Sequence, residues 1–164
     1  MKVMSVRWLY LISAGFALAL VFVTMGEAAA ECNQLLATID KPALVTVAPA
    51  EGVEGNGKRQ TDRIVLSVTC FQPAPDGSAV QVVVNAQKPD GTEQEVGRFT
   101  PFPQTAFKAG DSSKSQNYGL SLPKELMELA SSGRLNLKVQ LVKLRGEGKG
   151  ARLEVGGVEW ETSR

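Results

Sequence analysis

The sequence contains no histidine among its 164 residues. Nucleophilic units of the Ser/His/Asp or Cys/His kind use an imidazole as base, so neither can be assembled from this chain. Zinc and copper sites built on imidazole are excluded for the same reason. Paired carboxylates can hydrolyse glycosides without histidine, but no such pair stands out among the scattered Asp and Glu residues. We therefore predict a protein that is not an enzyme and has no catalytic residue, no bound metal and no cofactor. Calcium on loop carboxylates stays open, although no EF-hand pattern occurs.

Long basic runs are also missing. The chain has 18 Lys and Arg residues against 17 Asp and Glu residues, a net charge of +1 at pH 7. Because nucleic-acid phosphates require a concentrated Lys/Arg surface, we predict no nucleic-acid partner. The stretch GVEGNGKR at residues 52–59 nearly matches a phosphate-binding P-loop, but Arg59 stands where the magnesium-binding Ser or Thr belongs. We interpret it as part of a polar loop over residues 51–62.

One long apolar run is present, near the N-terminus. Two basic residues precede WLYLISAGFALALVFVTM at residues 8–25, and the small residues Ala28 and Ala30 follow it. This order is typical of a secretory signal peptide, which we predict to comprise residues 1–30. Residues 31–164 would then form a single exported domain, periplasmic or extracellular. Because 18 residues are close to the shortest span of a bilayer, an uncleaved membrane anchor is the alternative.

Cysteine is scarce, since Cys32 and Cys70 are the only two in the chain. In an oxidising compartment two cysteines favour one disulfide. Such a bond would pin the new N-terminus to the strand that ends at Cys70. Two separate free thiols are the alternative, although exposed thiols outside the cytosol tend to be oxidised.

Beyond the N-terminal run, the dominant pattern is an alternation of apolar and polar residues, which predicts β-strands. It occurs in RIVLSVTC, AVQVVVNA, LNLKVQL and ARLEVGGVEWE, at residues 63–70, 79–86, 135–141 and 151–161. In the last segment the apolar positions change parity across Gly156 and Gly157. A bulge or tight turn there would restore the register and bury Trp160.

Turn motifs separate the predicted strands. PDG at residues 75–77 and 89–91 predicts tight turns between antiparallel neighbours, and GEGKG at residues 146–150 predicts a hairpin. The polar stretch at residues 109–117 is predicted to be a loop. SLPKELMELASSG at residues 121–133 has Leu at helical spacing, an early Pro and a final Gly. The predicted fold class is therefore mainly β, an antiparallel, jelly-roll-like β-sandwich with one short helix.

Aromatic residues make up only 6% of the chain, yet three Phe and two Pro fall within RFTPFPQTAF at residues 98–107. The prolines restrict this segment to a loop or a sheet edge. Phe99, Phe102 and Phe107 cannot all point the same way on such a backbone, so we expect at least one to be partly exposed. A stiffened, exposed aromatic is a good anchor for a partner, which makes these three residues candidates for partner binding. The alternative is that all three close one end of the core.

The order of features in the second half is similar to that of a known domain. VQVVVN, RFTPFP, the Leu-rich helix and the closing LEVGGVEWE occur in the order seen in the C-terminal domain of plant-type polyphenol oxidases, the type-3 copper catechol oxidases and tyrosinases. The resemblance covers residues 80–161. It implies a β-sandwich that shields the dicopper site of a neighbouring catalytic domain, whose histidines bind the copper. This chain lacks that catalytic domain and has Gln104 where the family carries a histidine.

Two functions follow from these observations. The first is a non-catalytic exported module of the cell envelope or extracellular space, with a structural or binding role and another envelope protein as its partner. The second is an accessory protein, chaperone or inhibitor, of a secreted type-3 copper oxidase. We expect contact with a membrane only through an uncleaved signal segment.

Overall fold

The computed structural model describes residues 32, 34–49, 60–102, 104–110 and 115–162. Within them, the strands and the helix are β1 (Leu36–Ala37), β2 (Ala43–Thr46), β3 (Gln60–Gln72), β4 (Ala79–Gln87), β5 (Glu93–Phe99), β6 (Phe107–Lys108), β7 (Gln116–Ser121), α1 (Lys124–Ser131), β8 (Asn136–Arg145) and β9 (Arg152–Thr162). The predicted signal peptide, the P-loop-like stretch and Pro103 lie outside the described residues.

The strands form two antiparallel sheets. The first has the order β1-β9-β3, and the second has the order β2-β8-β4-β5. Strands β7 and β6 follow one another along the free edge of β3, where β7 pairs with residues 63–68 and β6 pairs with Cys70 and Phe71. Each sheet thus has four strand positions, and the chain passes between the sheets at most connections, as in a jelly roll. For the described part of the chain, the predicted mainly β, jelly-roll-like sandwich with one short helix is confirmed.

The core lies between the sheets and is filled by the alternating apolar residues of the long strands. These residues are almost completely buried: Ile64, Leu66 and Val68 from β3, Val80, Val82 and Val84 from β4, Leu135, Leu137, Val139 and Leu141 from β8 and the position before it, and Leu153, Val155 and Val158 from β9. Successive side chains of a strand point to opposite faces, so the alternation in the sequence decides which residues meet in the core.

Strand β9 is bulged at its glycine pair, as the parity change predicts. Ser67 of β3 pairs with Gly157, but the next residue, Val68, pairs with Val155, so Gly156 is the extra residue on β9. The bulge keeps apolar residues on the core face on both sides of the glycines.

Trp160 is only half-buried, which corrects the expectation of a buried tryptophan. The side chain packs against the edge of the core, and the indole Nε1 donates a hydrogen bond to the carbonyl oxygen of Ala48 at 3.0 Å. Its position explains the difference, because Trp160 pairs with Ile64 near the end of the sheet. An indole N–H finds its partner most readily at such a margin.

Two of the three predicted turns between paired strands instead connect the two sheets. The turn at residues 75–77 leads from β3 to β4, and residues 146–150 lead from β8 to β9, so in both cases the strands belong to different sheets and the hairpin prediction for GEGKG is wrong. The turn at residues 89–91 does join the paired strands β4 and β5. Both PDG motifs make the same local turn, in which the glycine amide donates to the carbonyl three residues earlier. Turn chemistry therefore reverses the chain without deciding which sheet the next strand joins.

Two predicted loops are shorter than expected. Strand β3 already includes the last three residues of the polar stretch 51–62, and β7 includes the last two of the stretch 109–117. Pairing along β3 and β9 makes polar residues part of a strand despite their loop-like composition. Residues 51–59 and 111–114 lie outside the described part of the chain.

The predicted helix is present as α1. It begins directly after a proline and buries Leu126 and Ala130 against the core. The helix ends at Ser131, and Gly133 follows its C-cap with a φ of +66°. The amide of Gly133 donates to the carbonyl of Ala130, and the amide of Arg134 donates to the carbonyl of Leu129. This is the Schellman arrangement, which favours glycine because of the positive φ. Among the described residues no helix is long and apolar enough to cross a membrane.

Cys32 and Cys70 form the predicted disulfide, and both residues are buried. Further contacts hold the same N-terminal segment to the first sheet. The backbone amide of Gln34 donates to Oε2 of Glu154 at 3.2 Å, and the amide of Val155 donates to the carbonyl of the residue that follows Gln34. The segment that enters β1 is therefore tied both covalently and by hydrogen bonds.

Candidate partner-binding site

The three candidate phenylalanines lie in different surroundings. Phe99 is half-buried at the end of β5, where its ring stacks on Tyr118 of β7 with the ring centroids 3.6 Å apart. Phe107 is half-buried in β6 and lies 6.5 Å from the ring of Phe71. Phe102 is 85% exposed. The prediction that at least one of the three is exposed is confirmed, and the alternative that all three close the core is wrong.

The segment that carries Phe102 crosses the sandwich at one edge. It leaves β5, the edge strand of the second sheet, and enters β6 at the edge of the first sheet. The two edges meet closely because residue 97 is a glycine. A Cβ at Gly97 would lie 2.6 Å from Cδ2 of Leu120 in β7. A larger residue there would have to displace the side chain of Leu120, which packs between the two edge strands.

The side chain of Gln116 holds the backbone of Phe102. Its Nε2 donates to the carbonyl oxygen of Phe102 at 2.9 Å, and the amide of Phe102 donates to its Oε1 at 3.4 Å. The hydroxyl of Tyr118 donates to the same Oε1 at 2.6 Å. Gln116 therefore satisfies both polar backbone groups of Phe102, as a neighbouring strand would, and leaves the ring in solvent.

The protonation of Tyr118 supports this arrangement. Partial burial raises the pKa of the Tyr118 phenol above its ordinary value of about 10. The hydroxyl therefore keeps its proton at neutral pH and remains a donor to Gln116. Stacking against Phe99 fixes the ring that carries this hydroxyl.

Residues on both sides of Phe102 are also attached to the sandwich. Pro101 is buried. On the other side, Nε2 of Gln104 donates to the carbonyl of Val80 in β4 at 3.4 Å. The segment therefore presents Phe102 on a backbone that is fastened before, at and after the exposed ring.

The two charged residues of β5 that lie closest to Phe102 along the chain, Glu95 and Arg98, form an ion pair. Arg98 donates from Nε and Nη2 to the two carboxylate oxygens of Glu95, at 2.8 and 2.6 Å. These hydrogen bonds lower the pKa of Glu95 and raise that of Arg98, so the pair stays ionised over the ordinary pH range. The surface beside Phe102 is thus polar without a strong net charge.

The sequence pointed to the exposed ring but not to its supports. Gln116 falls within a stretch of polar residues that predicted a loop, and no local pattern links it to a residue 14 positions earlier. Tyr118 offered a weak signal as an isolated aromatic residue between the Phe segment and Trp160.

In chemical terms the site offers an apolar ring on a hydrogen-bonded backbone, next to the amide of Gln116 and the hydroxyl of Tyr118. Within the described ranges, no three His, Cys, Asp or Glu side chains are grouped as a metal site requires. Comparisons with protein-family models, with curated proteins and with solved structures found no match to this chain. The resemblance to polyphenol oxidase C-terminal domains stays a prediction, and function has to be argued from the site itself.

Proposed function

We propose that this protein is a non-catalytic, exported protein-binding module of the cell envelope or extracellular space, and that Phe102 anchors its partner. The observation that carries the proposal is a ring that is 85% exposed on a backbone clamped by Gln116. An aromatic ring provides a large apolar contact area, and phenylalanine is enriched at protein interfaces. Because the backbone is already ordered, a partner that covers the ring loses little conformational entropy.

Export is supported by two features that lie in different parts of the chain. The N-terminal sequence has the order of a secretory signal peptide. The Cys32–Cys70 disulfide is compatible with an oxidising compartment outside the cytosol. A partner for Phe102 would accordingly be another exported protein.

Photo-crosslinking tests the anchor directly. A photoreactive phenylalanine analogue is placed at position 102 and, as a control, at Leu44. Leu44 is 54% exposed on β2, at the opposite edge of the second sheet. We expect one discrete adduct from position 102 in the exported fraction of the native host, and none from position 44. Equal labelling from both positions would mean that any exposed apolar site is labelled.

Binding to the purified partner completes the test. The crosslinked protein is identified by mass spectrometry, produced separately and titrated with the wild-type protein and the Phe102→Ala variant. Removal of an aromatic hot spot typically weakens binding by a factor of about 30 or more. Unchanged affinity in the variant would overturn the proposal for Phe102.

The second candidate is an accessory role toward a secreted type-3 copper oxidase. Its support is the order of sequence features in residues 80–161 on which the resemblance rests. The crosslinking experiment separates the two functions. An adduct with a copper oxidase, whose activity or copper content changes when the purified protein is added, would support the accessory role. An adduct with an envelope protein that holds no copper would support the first proposal.

A further inference from the structure

An open cavity of about 470 Å³ lies at the other end of the second sheet from Phe102. It is formed by the turn between β4 and β5 and by the connection from α1 to β8, and its lining residues are Gln87, Lys88, Pro89, Gly91, Arg134 and Asn136. The segment of Phe102 contacts β4 near its start, through the hydrogen bond from Gln104 to Val80. Gln87, which lines the cavity, is the last residue of β4. The cavity is large enough for a small ligand and is separate from the partner-binding site.

Arg134 is the best-positioned charge in this cavity. Its backbone amide donates to the carbonyl of Leu129, and its Nε donates to Oγ of Ser132 at 2.9 Å. None of the ion pairs among the described residues involves Arg134. The backbone and Nε are therefore fixed, while Nη1 and Nη2 remain available to a ligand.

Lys88 supplies a second cation. Its amide donates to the carbonyl of Thr92, and its carbonyl accepts the amide of Gly91, so the backbone of Lys88 is held within the turn. The ammonium Nζ is 3.8 Å from Oε2 of Glu125, beyond hydrogen-bond distance, and the Glu125 side chain is 83% exposed. Such a pair is weak, and a better-placed anion would displace it.

Two amide side chains complete the lining with one donor and one acceptor. Oδ1 of Asn136 accepts a hydrogen bond from Oγ1 of Thr46 at 2.8 Å, so its Nδ2 is the group left for a ligand. Nε2 of Gln87 donates to Glu93 at 3.4 Å, which leaves Oε1 of Gln87 as an acceptor. A ligand hydroxyl needs an acceptor for its proton and can accept from a donor, and the two amides provide both.

Two further carboxylates lie near the cavity, and each accepts hydrogen bonds from its own partner. Glu93 accepts two hydrogen bonds from Nζ of Lys138, at 3.0 and 3.1 Å. Asp90 accepts from the amide and the hydroxyl of Thr92, at 2.9 and 2.6 Å. Asp90 also attracts Lys88 electrostatically, so Asp90 and Glu125 are the two acidic residues that can weaken anion binding through Lys88.

We propose that this cavity binds an acidic sugar, a uronic acid, through Arg134. The guanidinium fork matches the two oxygens of a carboxylate, and Lys88 adds a second positive charge. Nδ2 of Asn136 and Oε1 of Gln87 bind sugar hydroxyls. Acetate can use the cations but offers no hydroxyl to Oε1 of Gln87. The site does not depend on the function proposed for Phe102.

Nuclear magnetic resonance titration of the purified, exported protein tests this site. The probes are galacturonate, acetate and inorganic phosphate, added to separate samples of ¹⁵N-labelled protein. We expect galacturonate to shift the amide signals of Lys88, Arg134 and Asn136, and to saturate them at lower concentration than acetate or phosphate does. No shift at the cavity, or an equal response to phosphate, would overturn the proposal.

Four variants make the titration specific. Arg134→Ala should weaken galacturonate binding by about tenfold or more, because it removes both the charge and the guanidinium fork. Arg134→Lys should also weaken binding, because lysine keeps the charge but not the fork. Glu125→Gln should strengthen binding, since it removes one of the two carboxylates that attract Lys88. Lys149→Ala is the control, because it removes one positive charge away from the cavity. Lys149 is 80% exposed and lies in the connection from β8 to β9. Unchanged affinity in both Arg134 variants would show that the shifts have another cause.

Discussion

Three residues of the same type, placed within nine positions of one another, have three different surroundings in this protein. Phe99 stacks on Tyr118, and Phe107 lies beside Phe71, so each shares its buried face with another aromatic ring. Phe102 has no ring contact among the described residues, and its backbone is held instead by hydrogen bonds from Gln116. Phe102 is therefore exposed because of how its backbone is held, and not because of its residue type.

A comparison of two phenylalanines tests this distinction. Phe102→Ala should change the free energy of unfolding by less than about 0.5 kcal/mol, as for other surface substitutions. Phe71→Ala, at a residue that is 1% exposed, should cost about 3–5 kcal/mol, because it leaves a cavity in the core. Trp160→Ala should fall between them, since Trp160 is half-buried. Denaturant unfolding measures all three. A loss in Phe102→Ala as large as in Phe71→Ala would give Phe102 a structural role.

At the scale of elements, strand β5 depends on contacts beyond its direct neighbour. It pairs with β4 alone in its sheet, and that pairing contains a bulge. Lys138 of β8 reaches across β4 to Glu93 at 3.0 Å. The ion pair thus links three strands on the outer face of the second sheet, next to the proposed sugar-binding cavity.

The pKa of Glu93 reports on this link. The hydrogen bond from Lys138 is the main cause that lowers the pKa of Glu93, and the bond from Gln87 adds to it. Because the pKa is lower in the folded state than in the unfolded state, the pair stabilises the fold above the ordinary carboxyl range, and this contribution is lost as the pH falls through the folded pKa. Carbon-detected NMR titration should show Glu93 titrating below an ordinary Glu, and Lys138→Met should raise its pKa.

Glu95 provides the internal control for that titration. Its pKa is lowered by Arg98 and not by Lys138, so it should stay low in Lys138→Met. If Glu93 kept its lowered pKa in the variant, Lys138 would not be the cause.

At the scale of the whole molecule, the disulfide connects the segment before β1 to β3, the longest of the described strands. Cys32 and Cys70 are separated by 38 residues and join the N-terminal segment to β3 in the first sheet. The intervening chain includes β2, which belongs to the second sheet. The bond therefore closes a loop that runs through both layers of the sandwich.

Loss of the disulfide should destabilise the entire fold. Closing a loop of this length restricts the unfolded chain and is worth about 4 kcal/mol on the entropic model. We expect the double variant Cys32→Ala, Cys70→Ala to lose stability by about that amount in guanidinium unfolding while keeping its β-rich circular dichroism. The double variant is preferable to chemical reduction because both sulfurs are buried. An unchanged free energy of unfolding would show that the hydrogen bonds around Glu154 hold the N-terminal segment without the disulfide.

Much of the local structure followed from the sequence. The alternation in Ile64, Leu66 and Val68 identified the buried face of β3, because neighbouring side chains of a strand must point in opposite directions. The parity change at Gly156 and Gly157 likewise indicated a bulge or tight turn, and a chain with two cysteines left one possible pairing. These features depend on backbone geometry or on a small number of possible partners.

Only the tertiary structure decided how these parts meet. The same PDG sequence joins paired strands at residues 89–91 and connects the two sheets at residues 75–77, because sheet membership depends on partners far along the chain. The clamp of Gln116 on Phe102 is likewise a contact between separate segments, and Lys88 and Arg134 come from separate segments to line one cavity. Periodicity and turn residues act over a few positions and can be read from the sequence. Pairing between distant strands is chosen by the packing of the whole core, and that packing placed both proposed sites.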